Sequence, residues 1–237
     1  MKNGEQTPTG CVATAVAQLM STYKYPYSHN GYSYDWYDMT ANAKGNICSE
    51  STQSQIARLM TELGTKDNLD MSYNTNKNGE SGAKSENIPR TLKNFGYSDG
   101  GNLVDYNTDK IVSEIRNKHC VLVSGYSHKK VKKFLGIKVQ TSYSGGHQWL
   151  CHGLLKRQRL VETYSSDGVL QNTSIEQVWY ILCNWGWEGY QDGYYLSNAF
   201  NTKNGPTYPD TRSIDNANGT EMPNYQYKIK AVVGIRR

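Results

Sequence analysis

The spacing of apolar residues changes period once along this chain, and that single switch restricts the folds open to it. Up to residue 118 apolar side chains recur at helical intervals; from His119 onward they come in short runs broken by Gly, Asn and other polar residues. The small residues Ala13, Ala15 and Ala17, with Val16, Leu19 and Met20, predict a closely packed, buried helix over 11–23. Ile56, Leu59, Met60 and Leu63 share one side of a second helix over 54–63, with Gly64 as its stop. A third helix is predicted over 87–94, and a fourth over 109–117 has Ile111, Val112 and Ile115 as its apolar face. Strands are predicted at 120–126, 146–155, 178–185, 193–196 and 230–235. Helices first and antiparallel-type strands second is an α+β order, not a βαβ alternation. With 237 residues, no internal repeat and no linker, the chain reads as one domain, 1–237, helical roughly over 1–118 and β roughly over 119–237.

The segments between these elements are polar. A Tyr-rich stretch runs from Tyr23 to Tyr37, and residues 74–84 are rich in Asn, Gly and Ser. Residues 198–224 form a long Asn/Gly/Pro/Thr segment, of the kind that serves as a lid or stays mobile. Between the first two strands lies a lysine-rich insertion, 128–139, predicted to be a basic hairpin. It reads as a solvated loop with an apolar underside, contact with an anionic surface being the alternative.

Hydrophobic residues make up 37% of the chain and charged residues 20%, the balance of a folded soluble domain. No apolar run reaches the roughly 20 residues of a transmembrane helix. The first eight residues are polar and lack the apolar core of a signal peptide, so the sequence starts after any targeting segment or the protein is cytosolic. A net charge of +5 is modest and calls for no nucleic-acid partner. The five cysteines, an odd number, are scattered without CxxC or zinc-type spacing, so neither a metal nor another cofactor is expected. Cys120, Cys151 and Cys183 sit in apolar strand-like runs and read as small core residues.

Cys11 is different. It falls in the first turn of its predicted helix, where unsatisfied N–H groups and the helix dipole favour a thiolate. Gly10 before it lets the backbone turn sharply, and the N–H groups of Cys11 and Val12 are suited to an oxyanion. A thiolate nucleophile also needs an imidazole, usually distant in sequence. His147, opening a strand after Ser144-Gly-Gly, can lie against a cleft without neighbouring bulk. His152 is an odd number of residues further on and should face the other way. His29, His119 and His128 lie in polar loop or helix-end contexts and read as surface residues. In Asn184-Trp-Gly-Trp-Glu-Gly, two Trp around a Gly at a strand end can cover an imidazole and wall a cleft.

Together these features resemble the streptopain peptidases, a bacterial branch of the papain-like cysteine proteases. The motifs that carry the resemblance are Thr9-Gly-Cys-Val-Ala-Thr-Ala with Ala17-Gln-Leu-Met, Tyr25-Pro26, Tyr34-Asp-Trp and Leu92-Lys-Asn-Phe-Gly-Tyr. Gly145-Gly-His-Gln-Trp, Asn184-Trp-Gly-Trp-Glu-Gly, Asp192-Gly-Tyr-Tyr and Ala231-Val-Val-Gly-Ile follow in the family's order. The resemblance implies a papain-like two-lobed fold, an N-terminal helical lobe and a C-terminal antiparallel β lobe with the cleft between them. It implies Cys11 as nucleophile, His147 as general base, Trp185 as the residue that covers and orients the histidine, and Asn184 as the adjacent candidate for that task. Trp187 would wall the primed side, while Ser81, Gly82 and Gly146 would contact substrate. It further implies protein or peptide substrates, and an endopeptidase exported or held at the cell surface or periplasm. A zymogen is implied too, controlled by a pro-segment, a separate N-terminal chain or an inhibitor protein.

The sequence departs from the family in places. The usual upstream Gln, in a Gln-x-x-Pro-Tyr-Asn context, is absent, and Gln6 lacks that context; losing one oxyanion donor costs on the order of a hundredfold in rate. His152 replaces an acidic residue common in this strand, and the basic insertion is longer than expected. The rival readings are a catalytically weak peptidase-like binding module, or an enzyme that passes the same thioester to an amine.

Overall fold

The computed structural model describes residues 8–41, 49–73, 81–135, 137–211 and 222–237. The chain opens with helix α1 (Cys11–Tyr23), small strands β1 (Ser28–His29) and β2 (Tyr32–Ser33), and helices α2 (Trp36–Ala41) and α3 (Glu50–Gly64). Helix α4 (Ile88–Asn94), strand β3 (Asp99–Asp105) and helix α5 (Thr108–Arg116) follow. The strands are then β4 (Val121–Phe134), β5 (Ile137–Tyr164), β6 (Leu170–Asn184), β7 (Gly193–Leu196), β8 (Phe200–Asn201), β9 (Tyr208–Pro209), β10 (Asn224–Tyr225) and β11 (Tyr227–Arg236). Helices segregate from a large antiparallel sheet, so the molecule is α+β.

Local chemistry sets the helix ends. Ser49 caps α3, its Oγ accepting from the Thr52 N–H at 3.1 Å. That cap adds a turn before the predicted start at residue 54. Asn107 caps α5 in the same way, its Oδ1 accepting from the Lys110 N–H at 2.9 Å. Helix α1 has no side-chain cap; Gly10 enters it at φ 82°. A Cβ at Gly10 would stand 2.6 Å from Met71 Cε and 2.7 Å from the Ser81 carbonyl oxygen, so only glycine fits.

Seven strands form one sheet in the order β3-β11-β4-β5-β6-β7-β9. Alternation of side chains divides the interior into two clusters on its two faces. Leu122, Leu150, Val232 and Ile235 join α1, α3 and α4 in the first. Val121, Val123, Trp149, Cys151 and Ala231 join α5 and an aromatic group in the second.

The strands differ from expectation in length. Strand β5 has 28 residues; its first half pairs with β4 and its second with β6, so two hairpins leave the central sheet. The first contains the basic insertion 128–139, a hairpin as predicted. Among its described side chains the expected apolar underside is not formed, because Val131, Leu135, Ile137 and Val139 are exposed instead of packed. The second, the paired 156–164 and 170–178, was not legible: nearly every side chain on it faces solvent. Strand β3 and helix α2 were also unforeseen. The segment 198–224 is not an open loop throughout, since Phe200 and Thr202 are buried and Asn224 pairs with Asn201. Cys120, Cys151 and Cys183 are buried, as expected of core residues, while Cys48 and Gln6 lie outside the described residues.

Candidate active site

A groove of about 940 Å³ runs between the N-terminus of α1 and the middle of β4 and β5, with the segment that follows β6 beside them. Cys11, the first residue of α1, and His147, on β5, both line it. One rim comes from Ser81, Gly82, Ala83 and Ser85, the other from Tyr126, His128, Gly145 and Gly146. The Ser81 rim is pinned twice: Gly82 pairs in both directions with Ser72, at 2.9 and 3.0 Å, and the Ser81 carbonyl presses on Gly10. Packing at the helix entrance thereby fixes the rim beside the sulfur.

The imidazole of His147 is held by main chain. Its Nε2 lies 2.9 Å from the Trp185 carbonyl oxygen. A carbonyl only accepts, so Nε2 carries the proton and the neutral ring keeps Nδ1 as its acceptor. The peptide on the other side of Trp185 is fixed as well, its N–H donating to Asp192 Oδ1 at 2.9 Å. Aromatic rings enclose the imidazole: Trp187 at 4.8 Å between centroids, Tyr225 at 5.4 Å and Trp185 at 6.1 Å. Trp149 lies behind them, 4.7 Å from Trp185. Burial in this nest pushes His147 down to about 4, with the Trp185 carbonyl pulling weakly the other way.

Asn184 does not reach the imidazole. Its Oδ1 accepts from Gln18 Nε2 on α1 at 2.6 Å and from the Gly186 N–H at 3.0 Å. The side chain expected as an alternative orienting group instead ties the end of β6 to the helix bearing Cys11. His128 is exposed, as expected, and also lines the groove; its Nδ1 is 2.7 Å from Ser127 Oγ, which donates to the Gly145 carbonyl at 3.1 Å. His29 likewise is no free surface group: its ring stacks on Phe95 at 4.0 Å.

Three contributors were missed by sequence reasoning: Tyr225, Asp192 and Gln148. Tyr225 is far along the chain from His147, and nothing in its local sequence marks it. Gln148 was legible only as part of a motif. It is buried, with Oε1 accepting from Ser85 Oγ at 2.7 Å and Nε2 without a hydrogen-bond partner. Of the described cysteines, Cys11 is half-buried at the groove and the rest are in the core. Burial pushes Cys120 up to about 11 and raises Cys183 as well, which keeps those thiols protonated and inert.

Comparison with known proteins gives the family. The model of the Peptidase C10 family matches residues 1–195. Over 228 residues the chain is 26% identical to the thiol protease/hemagglutinin PrtT of Porphyromonas gingivalis, covering 85% of this chain and 22% of that protein. It is 26% identical over 228 residues to streptopain of Streptococcus pyogenes serotype M28, covering 84% of this chain and 48% of that one. Streptopain of serotype M1 is 25% identical over the same length. The chain thus spans about half the length of the streptopains and less than a quarter of PrtT. A family match over most of the chain, on a fold that brings its marked Cys and His to one groove, is decisive: the chain belongs to the Peptidase C10 family of cysteine-type peptidases.

Proposed function

We propose that the chain is the catalytic part of a cysteine endopeptidase working through a Cys11–His147 dyad. The observation that carries this reading is the shared groove, with the sulfur at a helix N-terminus and the imidazole fixed by a main-chain carbonyl. The two core clusters on either side of the sheet are the basis for reading the fold as papain-like and two-lobed, with substrate held between the lobes.

In this mechanism Nδ1 of the neutral imidazole takes the thiol proton as the sulfur attacks the scissile carbonyl. Nε2–H stays on the Trp185 carbonyl, so the ring neither turns nor changes tautomer at the wrong nitrogen. The Cys11 N–H, in the first turn where no helical carbonyl can reach it, is one donor to the oxyanion. His147 then hands its proton to the leaving amine and afterwards takes one from the water that hydrolyses the thioester. Trp187 walls the primed side. Ser81, Gly82 and Gly146 contact the substrate main chain. Asn184 acts through position only, by holding the strand end to α1. Export and a zymogen held by a pro-segment, separate chain or inhibitor complete the reading, on the strength of the family alone.

Turnover of a fluorogenic peptide tests the dyad. Cys11→Ala should reduce it to background, a fall of at least about a thousandfold. Iodoacetamide should label Cys11 well before the buried thiols. Full activity in Cys11→Ala, or labelling of all cysteines at one rate, overturns the assignment.

A further inference from the structure

The hairpin built from β4 and the first half of β5 carries a charge distribution that peptide hydrolysis does not explain. The chain has 26 Lys and Arg against 21 Asp and Glu. Lys129, Lys130, Lys132, Lys133 and Lys138 alone equal that +5 excess, so the rest of the chain is balanced. No Asp or Glu occurs between Glu114 and Glu162, and all five lysines are exposed. Among the described residues none of the five has an acidic partner in an ion pair.

The described aliphatic residues of the same ribbon are exposed as well, and most at its tip. Leu135 is 87% exposed and Ile137 71%, with Val139 at 56% and Val131 at 39% behind them. A solvated loop has no use for two bare aliphatic side chains at its turn. A ribbon with an apolar tip and a collar of lysines has the composition of an interfacial anchor, in which apolar groups enter the acyl boundary and cations meet anionic headgroups. The base is held rigidly to the body. Lys129 lies over the Tyr227 ring at 5.9 Å, Lys228 over the Tyr143 ring at 4.5 Å, and Tyr126 and Tyr143 pack at 5.9 Å. Gly145, at φ 63°, lets Ser127 and His128 close against it; a Cβ there would stand 2.2 Å from Ser127 Oγ.

We propose that this hairpin docks the protein on anionic lipid bilayers. His128 lies on the groove rim and Leu135 at the tip, seven residues on, so an extended strand separates them by about 20 Å. Docking by the tip therefore holds the groove about that far above the headgroups, within reach of stalks and juxtamembrane segments of membrane-anchored proteins. That last step rests on the peptidase reading; the lipid docking does not, because it is measured without turnover.

Co-flotation with phosphatidylcholine/phosphatidylserine vesicles in a ratio of about 7:3, against phosphatidylcholine alone, tests the proposal. Binding should favour the anionic vesicles and fall steeply with salt. Each lysine near such a surface contributes roughly a fivefold gain in partition, so Lys130→Glu with Lys132→Glu should weaken binding by at least about twentyfold. Leu135→Ser with Ile137→Ser should weaken it too, with the salt dependence left intact. Both pairs are exposed, and unchanged circular dichroism spectra verify that each variant folds. Equal partition into neutral and anionic vesicles, or unaltered binding by both variants, overturns the proposal. So does a result in which the lysines speed cleavage of acid-rich soluble peptides while no vesicle is bound. Absence of cleavage with vesicle binding intact would instead overturn only the peptidase reading.

Discussion

His147 is the residue whose environment speaks most directly to measurement. The unfolded chain protonates it near 6.5, while burial lowers the folded value to about 4. Between those values the unfolded state binds the extra proton, so stability from this group is full above 6.5 and is lost as pH falls towards 4. The loss amounts to about 3 kcal/mol at the acid end. Urea midpoints recorded across that window should fall with acidification, and His147→Gln should flatten the slope. If the two slopes agree, the imidazole is not held neutral by its aromatic surroundings. At this scale the sequence was informative about identity and silent about acceptors. Cys11 and His147 stand in motifs with chemical sense, but the group that fixes the imidazole is a carbonyl every residue possesses. Asn184 was expected near the imidazole only as the motif neighbour of Trp185, and the fold uses its side-chain oxygen for Gln18.

Elements were legible where one face is buried and obscure where neither is. Helix α5 follows its apolar periodicity closely, and α3 departs only by the turn that Ser49 caps. The second hairpin reads as polar sequence because it is solvated on both sides; Leu160 meets Ile175 across it without covering anything. Such strands are specified by pairing alone, which periodicity cannot reveal. Strand β3 begins Asp-Gly-Gly and looks like a turn until β11, far away in sequence, supplies its partner. The second hairpin buries little, so replacing residues 157–177 by a short turn should move the melting temperature by only a few degrees. A drop of more than about 10 °C would show that this ribbon supports the core.

For the whole molecule, β11 is the shared wall. It lies between β3 and β4, and its neighbours Ala231 and Val232 enter opposite clusters. Val232→Asp would bury an unpaired carboxylate in the first cluster, a cost of at least about 4 kcal/mol. Because one strand serves both faces, tryptophan fluorescence, to which Trp149, Trp179, Trp185 and Trp187 of the second cluster contribute most, and helical circular dichroism, dominated by the helices of the first, should be lost in a single transition. Separate transitions would mean that the two halves fold independently. The α+β order was plain from the single change of period, whereas the sharing of one sheet by both cores depends on register and could not be read from composition.

The hydrogen bond from His147 to the peptide oxygen of residue 185 is invisible to the usual genetic dissection. A scan that swaps side chains at that position tests the indole and leaves the oxygen where it was. The adjoining peptide, between residues 184 and 185, is anchored by Asp192, which accepts from the residue-185 N–H outside the groove; losing that anchor lets residue 185 turn and carry its oxygen with it. A survey of inactivating substitutions would then flag a carboxylate that never meets substrate and pass over the atom it serves.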